Sequence, residues 1–141
     1  MNRRVRWAIL LAPLLLPWVV VSWGTGQYVL FALGWIDPGP RIVTVLALFG
    51  GRRSGLAVSG FALAHLLALG LYVGALGWLL VRRQRGPGSP VASGMLFLAG
   101  LNVAFYGLGT ARQAGLVAIP LGVAWLFLAA TAEYRAYLSG E

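Results

Sequence analysis

Apart from arginines and tyrosines, four side chains can titrate: His65, Asp37, Glu133 and Glu141. There is no cysteine, so no thiolate nucleophile, disulfide, iron–sulfur cluster or thiolate zinc site can be built. His65 is the only histidine, and it sits in an apolar run. A haem or metal would need further ligands, and no second histidine or nearby carboxylate supplies them. A polar residue at membrane depth is a functional candidate by default, and this one could relay a proton. The plainer reading is a neutral histidine bonded to a neighbouring helix or to interfacial water. Asn102 and Tyr106 are four residues apart and so share one helix face, with Gly109 close by. Either they act as bonds between helices, or they form a polar pocket with His65. Glu133 and Arg135, two apart, do not face each other, so Glu133 is expected to pair with another arginine and Arg135 to snorkel. No Ser-His-Asp set, paired-carboxylate site or phosphate-binding glycine loop is present, which argues against an enzyme and gives no cofactor.

The segments that must position these residues are greasy. Of 141 residues, 60% are hydrophobic and 10% charged, and the mean hydropathy is +0.83. Soluble domains are about 45–50% apolar and about 25% charged. The lipid bilayer is therefore the expected partner. All eleven basic residues are arginines, giving a formal charge of +8. They flank apolar segments, as topology signals do, which argues against nucleic-acid binding.

Apolar length predicts four spans, at about residues 7–24, 56–81, 91–110 and 115–137. Pro13 and Pro17 fall inside the first, which a spanning helix tolerates when neighbours satisfy the freed carbonyls. The poor cleavage site at Ser22-Trp23-Gly24 favours an uncleaved span over a signal peptide. Between the first two spans, residues 24–55 differ from the rest. Tyr28–Ile36 and Ile42–Phe49 are too short to cross, and are split by Asp37-Pro38-Gly39-Pro40-Arg41. The first run reads as an extended arm, a re-entrant piece or a continuation of the first helix. The second reads as a short interfacial helix. Asp37, Pro38 and Arg41 mark a turn, structural or binding. Seven arginines on one side against four on the other favour cytoplasmic N- and C-termini and place this block outside.

Gly70, Gly74 and Gly77 follow the spacing that lets helices approach closely, and Gly100 with Ala104 repeats it. The fold class expected is all-α: a multi-pass protein of the cell membrane, with four antiparallel helices in one domain and a re-entrant or interfacial element on the outer face. The leading function is a non-catalytic accessory or assembly subunit, partnered by other membrane subunits or by copies of itself. The alternative is a small transporter or channel acting as a homo-oligomer.

Several short motifs recur in a familiar order. Pro17-Trp18 precedes an aromatic run and an Asp-Pro turn. Ser93-Gly94, Leu98-Ala99-Gly100-Leu101 and Phe105-Tyr106-Gly107-Leu108-Gly109 follow, then Ala118-Ile119-Pro120-Leu121-Gly122. Over most of its length the chain resembles a family of small uncharacterised membrane proteins from halophilic archaea. Its Asp-Pro turn departs from that family's Asn-rich version, and Arg112-Gln113 replaces a basic pair with a proline. The resemblance implies a four-span membrane fold and carries no catalytic residues.

Overall fold

A computed structural model describes residues 3–36, 42–44, 60–82, 88–113 and 115–140. The expected turn residues Asp37, Pro38 and Arg41, and most of the segment that follows them, lie outside the described residues.

The all-α four-span bundle is overturned. The described residues form four helices and five strands: α1 (Arg3–Leu15), β1 (Val19–Trp23), β2 (Gly26–Phe31), β3 (Gly34–Ile36), β4 (Ile42–Thr44), α2 (Gly60–Arg82), α3 (Pro90–Ala111), β5 (Val117–Ile119) and α4 (Leu121–Leu138). The strands make one antiparallel sheet in the order β4-β3-β2-β1-β5. Two helices, over Leu63–Arg82 and Pro90–Ala111, are long and apolar enough to cross a membrane. By composition and length alone, such helices are weak evidence of membrane association.

The physical reasons for the correction are local. Pro17 cannot donate to Pro13, so the first helix stops at Leu15. The β-branched run Val19-Val20-Val21 then suits a strand better than a helix. Gly24 and Thr25 turn it back, pairing Trp23 with Gly26 and Val19 with Leu30. The expected span at 7–24 is thus half helix and half hairpin. Tyr28–Ile36 is extended and divided between β2 and β3. Ile42–Thr44 opens as a strand instead of a helix. At 115–137, Gly115 adopts φ +80, which favours glycine. It leads into β5, and Ile119 before Pro120 is held extended until α4 begins at Leu121. Hydropathy registers all of these residues as apolar and is blind to whether their period is 2 or 3.6.

The helices run antiparallel to their neighbours. Along α2 and α3, Trp78 donates to Ser89 (3.0 Å) at one end, while the rings of His65 and Tyr106 are 5.9 Å apart at the other. Along α3 and α4, Ser93 Oγ donates to the Ala130 carbonyl (2.8 Å), and Gly107 abuts Pro120. Along α1 and α4, Arg6 meets Glu133, and the Gly122 N–H donates to the Trp18 carbonyl (2.7 Å). Leu10, Trp18, Val19, Val21, Leu30, Tyr72, Leu96, Val103 and Leu126 form one buried core shared by sheet and helices.

The remaining faces of α2 and α3 are apolar and uncovered. Val91, Leu98, Leu101, Phe105 and Leu108 recur at helical spacing along α3, and all are exposed. A helix that is apolar all round belongs in a large core or a bilayer. Only a third of each of these two helices is buried by the protein itself.

Candidate functional site

Among the described residues, buried polar side chains gather at the two ends of the helices: His65 and Thr110 at one, Ser89 and Glu133 at the other. The first position is at the sheet end, around His65 on α2. Its side chain is buried, 4% exposed. Trp18 meets it edge-on at 5.3 Å between ring centroids, and Tyr106 lies at 5.9 Å. Trp18 also packs edge-on against Tyr72, at 5.8 Å.

Trp18 is held by three hydrogen bonds. Its indole N–H donates to the Pro13 carbonyl at 2.7 Å, the oxygen that Pro17 leaves without a helical donor. Its backbone N–H donates to Leu30 and its carbonyl accepts from Gly122, each at 2.7 Å. A Cβ on Gly122 would come within 3.0 Å of Trp18, so glycine is what lets α4 approach. Tyr72 donates to the Leu10 carbonyl at 2.8 Å, tying α2 to α1.

The Tyr106 hydroxyl lies 3.1 Å from that of Tyr28 on β2. Asn102 does not join this group by a hydrogen bond; its amide donates to the Leu98 carbonyl of its own helix at 2.9 Å. Neither ring nitrogen of His65 makes a well-formed hydrogen bond among the described residues; its polar contact is a weak one with the Ala32 backbone. The setting is therefore an aromatic enclosure with one polar ring in it. Among the described residues it has no paired base or acid to work with.

The second position is at the opposite end, where Glu133 on α4 is 0% exposed. One carboxylate oxygen accepts from the Ser89 backbone N–H at 2.7 Å, and the other lies 3.6 Å from Arg6 Nε on α1. Ser89 is the N-cap of α3, its hydroxyl accepting from Ala92 (3.3 Å) and from the Trp78 indole (3.0 Å). Gly88 lies directly against the backbone of Glu133, where a Cβ would collide with the Glu133 carbonyl. Arg82 stacks over Trp78 at 5.7 Å. From Trp78 to His65 is thirteen residues of helix, about 20 Å. Glu133 and His65 therefore cannot act on one substrate atom. Among the described residues no group of three His, Asp or Glu could hold a metal.

The structure separates the small residues into two kinds. Gly74 and Gly100 are in close contacts, since a Cβ there would stand 2.7 Å from Met95 and 2.6 Å from Phe127. Ala104 is half-buried. Gly70 and Gly77 have nothing within 4 Å of where a Cβ would lie, and Gly94 on α3 is also open.

A family profile described as "Domain of unknown function (DUF8050)" matches residues 1–140. The chain belongs to the DUF8050 family. That agrees with its resemblance to an uncharacterised family. No curated protein and no solved structure matches the chain. DUF8050 membership brings no activity with it, so the sites must be argued from their own geometry. Sequence reasoning could not foresee the Trp18–His65 contact, because it depends on α1 stopping at Leu15. A proline four residues after another, followed at once by a tryptophan, was the available signal.

Proposed function

We propose that this DUF8050 protein is a multi-pass protein of the cell membrane that serves as a non-catalytic accessory or assembly subunit. The observation that carries the reading is the pair Gly70 and Gly77. They lie seven residues apart, on nearly one face of α2, with no described residue packed within 4 Å of where a Cβ would lie on either. Glycine costs about 1 kcal/mol relative to alanine in a helix interior, and no internal contact of these two glycines requires it. Outward small residues on an apolar helix suit the close approach of another helix. Exposed Leu63, Leu67 and Val73 border them.

Orientation follows the arginines. Arg3, Arg4, Arg6, Arg82 and Arg135 belong to the Glu133 end, and Arg112 to the sheet end. Positive-inside bias makes the first end cytoplasmic, with both termini there. The sheet then faces outward. The halophilic archaeal resemblance fits this reading.

A transporter or channel built as a homo-oligomer is less supported. It needs a polar path, and among the described residues His65 is ringed by aromatics while Asn102 bonds its own helix.

The test is affinity purification in mild detergent from the native membrane at native abundance. A co-purifying membrane subunit, or a homo-oligomer, that is lost in Gly70→Leu/Gly77→Leu is the expected result. Recovery of the monomeric chain alone refutes the reading.

A further inference from the structure

The outer seam between α1 and α4 holds an open groove. Its wider part, about 690 Å³, is lined by Ile9, Leu128, Ala132, Arg135, Leu138 and Ser139. A second part, about 350 Å³, continues past the shared Ile9 and Leu128 to Leu16 and Trp125. Ligand sites commonly run about 300–1,000 Å³.

We infer that this groove holds one hydrocarbon chain of an anionic membrane lipid, with Arg135 binding the lipid's phosphate. The inference rests on the membrane reading above and adds a ligand to it. Length is the first argument. From Arg135 to Trp125 is ten residues of helix, about 15 Å, which is half of a hydrocarbon core of about 30 Å. The groove therefore spans a single leaflet.

Charge is the second argument. Among the described lining residues, only Arg135 at one end of the groove is cationic. Glu133, the one carboxylate among the described residues, is turned inward to Ser89 and Arg6. Arg135 is exposed and makes no ion pair among the described residues. Arg3, one turn before Arg6, is exposed at the same end. The C-terminus of α4 by itself repels an anion through its dipole, so attraction must come from these side chains. Arg135 binds as a fork at the interface, a geometry that matches phosphate oxygens. The walls below it are mostly apolar: the Thr131 hydroxyl is already bonded to the Phe127 carbonyl (2.8 Å), and the Trp125 indole N–H is buried without a partner among the described residues.

The experiment is native mass spectrometry of the full chain released from vesicles of equal phosphatidylglycerol and phosphatidylcholine with matched chains. The wild type should retain one phosphatidylglycerol in preference. Arg135→Gln should cut that preference about fivefold, the worth of one basic side chain at an anionic surface, and Arg135→Lys, which keeps the charge and loses the fork, should restore part of it. Leu128→Trp, which fills the groove, should reduce retention of both lipids, while Leu101→Trp on the far face should change neither. Equal retention of the two lipids, or an unchanged preference in Arg135→Gln, overturns the proposal. So does a lipid-free dimer that falls apart in Leu128→Trp, which would assign the groove to a second copy. Alkaline carbonate extraction of the same membranes separates the two levels of argument. Release into the supernatant refutes the membrane reading itself. Retention without lipid preference refutes only the groove.

Discussion

The Trp18 indole donates to the carbonyl of Pro13 at 2.7 Å, and so performs the task that the backbone of Pro17 cannot. Pro17 ends α1, and this bond caps the freed carbonyl while holding an aromatic ring against His65 and Tyr72. Trp18→Phe keeps most of the ring and loses the donor, leaving a buried acceptor unserved. The expected cost is about 1–3 kcal/mol, read by denaturant titration in micelles. Pro17→Ala returns a backbone N–H, so the double variant should be less impaired than Trp18→Phe alone. Equal losses in both would show that the indole acts through packing only.

Glu133 and Arg6 form a buried pair, and removing one member strands the other. Arg6→Leu should destabilise by about 3–5 kcal/mol. Adding Glu133→Gln should recover much of that, because a neutral amide oxygen still accepts from Ser89. A double variant no more stable than Arg6→Leu would assign the loss to the arginine's packing.

His65 makes the opposite prediction. Its nitrogens make no well-formed hydrogen bond among the described residues, only a weak contact with the Ala32 backbone, so His65→Leu should leave stability unchanged or raise it. Thermal unfolding in detergent checks this, and a loss beyond about 1 kcal/mol would reveal a bonded partner for the imidazole.

The glycines divide in the same assay. Gly88→Ala must push against the backbone of α4 and should cost at least about 2 kcal/mol, as overpacking does. Gly70→Ala and Gly77→Ala meet open space and should each stabilise the isolated chain by up to about 1 kcal/mol. Uniform losses at all three would show that outward glycines also serve the fold.

The long helices were the readable part of the sequence, since unbroken apolar length over residues 60–82 and 90–111 leaves little else to build. The sheet was not. Val19–Trp23 and Val117–Ile119 are as apolar as any span and too short to display an alternation. Their strand geometry comes from Pro17 and Pro120 and from pairing across the chain. His65, Asn102 and Tyr106 were grouped by type and depth. The structure sets His65 beside Tyr106 and bonds Asn102 to its own helix, a difference of side-chain direction that spacing does not carry. Tyr28 was invisible as a partner for Tyr106, 78 positions away, until β2 had a register.

The pairing of β5 on β1 also sets a schedule. One edge of the first hairpin is completed by residues made only after both long helices. At about 5–20 residues per second, the ribosome leaves that edge bare for several seconds. An unpaired strand edge is an invitation to join another chain. The hazard in making this protein therefore falls early, on a few valines near its start, and it ends only when Val117–Ile119 arrives.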